Sequence, residues 1–475
     1  MDIMLNLTPF LFIIVFAILT KWIIPSIIIG LMIGAYLKSD NSLLAALDLF
    51  SSYITGAITD ESNAIILVFL FGFGALAEIF KLGGGVSAVA SLAEKRLKVE
   101  RSAYLSVWLI TPLTFLDCCF RIISSGIISK TVLERTNGSK DRLAFIINSS
   151  SQLIPLIPFA TTYIGYILGL LLPMLLQLNV SISPYTLYLQ AIPYNFYSIL
   201  MVLFSGILTF TEIKPLQLFR PAYKKPILSK QGEHSQSEAE HQHTFEEKLP
   251  PRLFNLVLPL LIMILALFYL VWHSGVSLGG TSLSQALIFA DYELAVLNAT
   301  IITLSLTILL YLLQRVPAKS IEKAFFTGGV EMLPPIIIIS LAWAMILVSR
   351  DLEFYDIASN LFNAYLPRQL LPLLFFLATG LTSYFIGSSW ATWALFLPVA
   401  LSTAVAADVN LPLILGSIMA GGSVGDSISP LGEDPILVAS TMNIPVIDHI
   451  RYCVPYGMLA IIVSAAGYLL AGYLL

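Results

Sequence analysis

Carboxylates set inside apolar runs are the residues of this chain that invite chemistry. Asp117 sits in the middle of WLITPLTFLDCCFRIISS. Asp426 sits in GGSVGDSISPLGEDP, residues 421–435, between the apolar runs NLPLILGSIMA and ILVASTMNIPVI. A charge buried in such a run costs about 2.5 kcal/mol or more, so each one needs a partner or a task. For Asp117 two readings stand: a carboxylate that takes a cation or proton, restrained by Arg121 one helical turn on, or a structural ion pair with Arg121 across a helix break. Asp426 is flanked by Gly425, Ser427 and Ser429, and Pro430 breaks the helix there. A carboxylate beside hydroxyls and freed main-chain carbonyls offers the hard oxygen ligands that a dehydrated Na⁺ needs. Glu433 and Asp434 either join that site or cap the helix starting near Pro435, where negative charge is favoured.

Uncharged polar residues gather at the other breaks. GSSWATW, residues 387–393, sets Ser388, Ser389 and Thr392 beside Trp390 and Trp393. Those hydroxyls either coordinate an ion or satisfy carbonyls of a broken helix. In the first half, Asn148, serines 149 to 151 and Gln152 precede Thr161 and Thr162. Glu331 lies in the broken stretch GGVEMLPP, within reach of a cavity. His449, in DHIRYCVPY, is either a group titrating near neutrality or an interfacial histidine beside Arg451 and Tyr452. Glu78 and Lys81 read as a pair near a membrane surface, and Asp291 and Glu293 as the edge of an apolar run.

These residues need a scaffold in lipid. The chain has 475 residues, 57% hydrophobic and 11% charged, against about 25% charged in soluble domains. So much apolar surface identifies an all-α, polytopic membrane protein, with membrane lipids as its partners. Apolar runs near 7–20, 22–37, 63–81, 102–130, 142–175 and 188–211 form a first set. Runs near 252–273, 287–313, 324–348, 369–400, 412–443 and 446–473 form a second, giving 10 to 12 spans. The first run lacks a basic leader and a cleavage site, and reads as mature structure. The long runs are interrupted by Gly, Pro, Ser and Asn, the pattern of discontinuous or re-entrant helices.

Residues 212–251 form a polar linker between a first transmembrane repeat, 1–211, and a second, 252–475. The linker carries a spaced tract of His234, His241 and His243, which reads as plain linker before a metal site. PLTFLDCCFRIISSG followed by AFIINSSSQLIPLIPFATTYIG in one half matches TSYFIGSSWATWALF followed by AGGSVGDSISPLGEDPILVAS in the other. Paired breaks of this kind mark the midplane site of a transporter. Basic clusters at 93–101, in the linker and at 314–323 obey the positive-inside rule if one broken segment re-enters on its own side, the expectation here, or if one span is miscounted. The net charge of −4 gives no hint of nucleic acid. Cys118, Cys119 and Cys453, in apolar surroundings, suggest neither a disulfide framework nor a zinc site. Gly83, Gly84 and Gly85 form no phosphate loop, so the energy source is a gradient rather than ATP.

GSSWATWALFLPVA, GGSVGDSISPLGEDPILVAS and DHIRYCVPY together resemble the bacterial NhaC family of Na⁺/H⁺ antiporters, within the wider ion-transporter superfamily. The family's Gly-Thr-Ser-Trp-Gly-Thr stretch matches residues 387–392, and its Gly-Asp-His-x-Ser-Pro-x-Ser-Asp stretch matches residues 425–433. KDRLAFIINSSSQLIPLIPFATTYIG looks like the family's first-half segment and the Ser/Pro-rich break after it. The resemblance implies two related halves of inverted topology in the cell membrane (the inner membrane of a bacterium), with Na⁺ and H⁺ as transported ions and no cofactor or enzymatic activity. It puts the family's motif aspartate on Asp426, its Ser-Pro on Ser429 and Pro430, and its later aspartate on Glu433. Asp434 falls where the family has threonine, Ser427 where it has histidine, and Asn148 where an aspartate is usual. Sodium is then expected at Asp426, Asp117, Glu433 and Ser429, with Ser388, Ser389 and Thr392 in support. Arg121, Asn148, Gln152, Glu331, Asp434, His449 and Trp390 are secondary candidates. Relatives exchange malate and lactate, so a small organic anion is the alternative cargo. A homodimer is the alternative to a single chain.

Overall fold

The computed structural model describes residues 2–39, 42–96, 100–134, 138–158, 161–211, 252–354, 357 and 367–475. The 212–251 linker with its histidines, and most of the 93–101 basic cluster, lie outside the described residues or side chains. In the first half the helices are α1 (Asp2–Thr20), α2 (Ile23–Lys38), α3 (Leu43–Thr59), α4 (Glu61–Leu82), α5 (Gly85–Arg96) and α6 (Glu100–Leu109). They continue as α7 (Thr111–Thr114), α8 (Cys118–Glu134), α9 (Lys140–Ser151), α10 (Thr162–Gln177), α11 (Pro184–Ala191) and α12 (Phe196–Phe210). The second half has α13 (Phe254–Ser277), α14 (Leu283–Phe289), α15 (Tyr292–Leu313), α16 (Ala318–Glu331) and α17 (Leu333–Asp351). It closes with α18 (Leu371–Ile386), α19 (Ser389–Ala406), α20 (Leu411–Ile428), α21 (Glu433–Met442) and α22 (Val446–Leu474).

Eight of the described helical segments are long and apolar enough to cross a membrane, or up to nine if one bent pair counts as a span. Four shorter apolar helices, α1, α2, α3 and α10, accompany them. Helix α3 was absent from the sequence-based spans. Its LDLFSSY core interrupts the apolar run, so hydropathy alone passes over it. The spans differ sharply in burial. Leu411–Met442 is 89% buried and Val446–Leu474 only 22%. The motif-bearing segment therefore lies in the protein interior, while α22, α13 and α15 turn leucines and aromatics such as Leu265, Phe268, Leu309 and Ile462 outward toward lipid.

Each long run that looked interrupted is interrupted. Run 102–130 folds into α6, the single turn α7 and α8, and its two arms lie side by side. The Ser106 and Ser129 hydroxyls, one on each arm, are 2.8 Å apart. The run is thus a hairpin of two arms rather than one straight span. Run 142–175 divides into α9 and α10 around Pro155 and Pro158, whose missing amides and fixed φ end the first helix. In the second half, α18 stops at Gly387, held at φ 78°, a left-handed backbone that glycine adopts without a Cβ clash. Ser388 then caps α19. Helices α20 and α21 are separated by Ser429–Gly432, with Pro430 in the gap. Each half thus carries a broken hairpin followed by a broken helix.

The glycines of the 421–435 stretch set how close these helices come. Gly421 and Gly425 form a Gly-x-x-x-Gly face against α18, and a side chain at either would run into the α18 backbone or the side chains of Thr379 and Ser383. Such small-residue faces let helices approach closely in lipid. Ser383 uses that approach: its hydroxyl donates to the Gly422 carbonyl (2.6 Å) and accepts from the Gly425 amide (3.1 Å).

Candidate functional site

Four helices, α8, α10, α19 and α21, start at breaks, and their first turns face one another. Unsatisfied amides and the positive end of the helix dipole collect at such starts, which draws acidic side chains there. Asp117 is the cap of α8. One carboxylate oxygen accepts from the Phe120 amide (3.0 Å) and the other from the Thr162 hydroxyl of α10 (3.2 Å). The Thr162 amide donates to the Leu116 carbonyl (3.1 Å), so the hairpin tip and the second break of the first half are tied together. Tyr163, next in sequence, stacks on Trp390 of α19 with ring centroids 4.8 Å apart, and the Tyr166 hydroxyl donates to the Trp390 carbonyl (2.9 Å).

Asp426, one residue beyond the Gly425 contact, is buried near the C-terminal end of α20. Its carboxyl is set beside the Ser389 hydroxyl and main chain. That hydroxyl completes no hydrogen bond of normal geometry and remains buried. Asp434 is also buried, lies against the Cys118 thiol, and is within electrostatic reach of Asp426, Glu433 and Asp117. Tyr163 stands near the same thiol and both aspartates. Glu433 is more open, and its Oε1 is 3.5 Å from the Cys119 sulfur. Among the described residues, none of the ion pairs uses Asp117, Asp426, Glu433 or Asp434.

Several expectations change. Arg121 does not hold the Asp117 side chain. It is fully buried, and its guanidinium donates to Thr111 (2.8 Å) and Ser150 (2.9 Å). The end of α9 at Ser151 offers it the negative pole of a helix dipole. Its guanidinium therefore links hairpin to broken helix. Ser388 and Thr392 engage their hydroxyls in the first turn of α19, Ser388 accepting from Ala391 and Thr392 donating to the Ser388 carbonyl (2.7 Å). Ser429 donates to the Tyr384 carbonyl (2.7 Å) and accepts from the Leu431 amide (3.1 Å), fixing α18 to the α20 break. Asn148 donates to the Ser427 carbonyl (3.0 Å), joining the two halves, and Gln152 is buried at the end of α9. His449 is not interfacial: it is buried with its ring 3.7–3.8 Å from the Cys453 sulfur. Glu78 and Lys81 do pair, at 2.6 Å, but Glu78 is buried rather than at a surface. Glu331 joins them, 3.9 Å from Lys81, and sits within electrostatic reach of Asp117 and Glu433.

Tyr163 and the thiols of Cys118 and Cys119 were not singled out for the site. Adjacency to Asp117 and Thr162 was the available signal, and apolar neighbours in sequence masked it.

The chain is similar to several known proteins. The profile described as the Na⁺/H⁺ antiporter family matches residues 153–473. A Haemophilus influenzae protein named only as uncharacterized is 24% identical over 98% of this chain and 91% of its own length. The Bacillus subtilis Na⁺/H⁺ antiporter NhaC is 29% identical over 29% of this chain and 30% of its own. The Bacillus subtilis malate-2H⁺/Na⁺-lactate antiporter is 27% identical over 22% and 23% respectively. Among solved structures, MtrF of Neisseria gonorrhoeae aligns over 91% of this chain and 85% of its own, with 17% identity and a TM-score of 0.49. With that profile matching well over half of its length, the chain belongs to the Na⁺/H⁺ antiporter family, a family of cation-coupled multi-pass membrane transporters.

Proposed function

We propose that this protein is a secondary Na⁺/H⁺ antiporter in which sodium and protons compete for one group of buried carboxyls. Asp426 and Asp434 are the shared pair, with the Ser389 hydroxyl as a neutral oxygen ligand. Asp117 and Glu433 add negative charge from the other side. The observation that carries the reading is that two buried aspartates meet at helix breaks without a basic partner among the described residues. A buried charge left uncompensated is costly, and either a proton or a dehydrated sodium ion removes that cost. One occupant therefore excludes the other. Residues 1–211 and 252–475 act as two repeats in inverted topology that rock against each other around the site, and the gradient of either ion drives the other.

An organic-anion cargo is the second reading. A buried guanidinium, Arg121, with an unpaired Nε favours it, as does the similarity to a malate/lactate exchanger. The two donor bonds to Thr111 and Ser150 and the complete burial of Arg121 weigh toward a structural latch.

Proteoliposomes separate the two. An imposed Na⁺ gradient drives proton movement with no organic solute present, and Asp426→Asn abolishes it. Proton movement that needs malate or lactate, or that persists in the variant, refutes the first reading.

A further inference from the structure

Two thiols stand beside the carboxyls with no use in sodium exchange, since thiol sulfur is a poor ligand for a hard cation. Cys118 and Cys119 open α8, and their sulfurs are 3.9 Å apart. Neighbouring side chains on a helix normally diverge, so the convergence is unusual. Cys119 Sγ lies 3.5 Å from Glu433 Oε1, across the seam between the halves. A carboxylate oxygen of Asp117 and both sulfurs lie within 4.8 Å of one another. A tetrahedral ion with bonds of about 2.3 Å to sulfur and about 2.0 Å to oxygen sets sulfurs roughly 3.8 Å apart and sulfur and oxygen roughly 3.5 Å apart. Both measured separations match that figure.

We propose that Asp117, Cys118, Cys119 and Glu433 form a binding site for a soft divalent metal ion of the Zn²⁺ or Cd²⁺ class. Asp117 is oriented for it by its bonds from Phe120 and Thr162, as outer partners orient metal ligands. Glu433, on a more open side chain, closes the set from α21. Binding deprotonates both thiols, so each ion that enters releases two protons and leaves two thiolates and two carboxylates around a double positive charge. The bound ion staples α8 of the first half to α21 of the second. It acts as a block on transport, and only this last statement rests on the proposed exchange.

The test uses the purified full chain with thiols kept reduced, titrated with Cd²⁺ alone. A thiolate-to-cadmium absorption band should saturate at about one ion per chain. Cys118→Ser combined with Cys119→Ser should remove it, and Glu433→Gln should weaken binding by about tenfold or more. Cys453→Ser should leave it intact. Cys119→Ser alone serves if the double variant does not fold. No band in the native chain, or a full band in the cysteine variants, overturns the site. In proteoliposomes, Zn²⁺ should stop sodium-driven proton movement of the native chain but not of Cys119→Ser. A native chain that binds Cd²⁺ yet ignores Zn²⁺ overturns the staple. A native chain that moves no protons without metal refutes the exchange reading, while the absorption band still decides the site.

Discussion

Asp117 and Asp426 each stand at a helix break, one in each half, yet the protein treats them differently. Asp117 is tethered: an amide of its own helix donates to one of its oxygens and the Thr162 hydroxyl to the other. Asp426 has the Ser389 hydroxyl beside it, Asp434 within electrostatic reach, and no basic partner among the described residues. Two hydrogen bonds leave the Asp117 carboxylate with free lone pairs but fix its orientation, whereas Asp426 is less restrained. Position in the fold is therefore not enough to make a carboxyl an exchanger. In the proposed exchange, the first half supplies a clamp, and the second supplies the group whose occupant changes.

The sharpest way to break that contrast is to neutralise each aspartate in turn. Asp426→Asn should lower sodium-driven proton movement by at least about 100-fold, about 2.7 kcal/mol, while Asp117→Asn should keep a measurable rate in the same vesicles. Equal losses in both would erase the distinction. Competition for the Asp426 pair also has a sign. Protonation removes the sodium ligand, so the half-saturating Na⁺ concentration should rise as pH falls, by about tenfold per unit where one proton competes. A half-saturating concentration that is flat or falls on acidification would contradict a shared site. Thr162→Val probes the clamp alone: it removes one bond to a charged group, about 1.5–3 kcal/mol, and should appear as a lower melting temperature in detergent with transport retained. The smallest effect belongs to Glu331→Gln, whose half-exposed ion pair with Lys81 is worth about 1 kcal/mol or less and should shift sodium affinity less than fivefold.

The architecture was legible because lipid leaves few choices. Runs of apolar residues had to be helices, and breaks fall at the clustered prolines and glycines near 155, 158, 387 and 430, whereas lone prolines such as Pro259 and Pro398 sit within continuous helices. Asp426 could be found the same way, as a charge in a place that charge avoids. What could not be read was the direction of each side chain. Arg121 lies one turn from Asp117 in sequence, but the helix starts at Cys118, so Asp117 caps the helix while the guanidinium reaches α9 instead. Likewise, Ser388 and Thr392 have the chemistry of ion ligands, and helix capping claimed them first. Asp434 looked like an extra acid beside Glu433. The first turn of α21 buries Asp434 and leaves the more exposed position to Glu433.

Asn148 bears on how many charges one transport cycle carries. Its amide donates to the Ser427 carbonyl at the end of α20. An aspartate, the residue usual here in the family the sequence resembles, could make that bond only while protonated, and would lose it on releasing the proton. The asparagine keeps the bond in every state. This chain has in effect fixed a hydrogen at the seam between its halves, so in the proposed exchange position 148 contributes no proton, and the ratio falls to the carboxyls around Asp426.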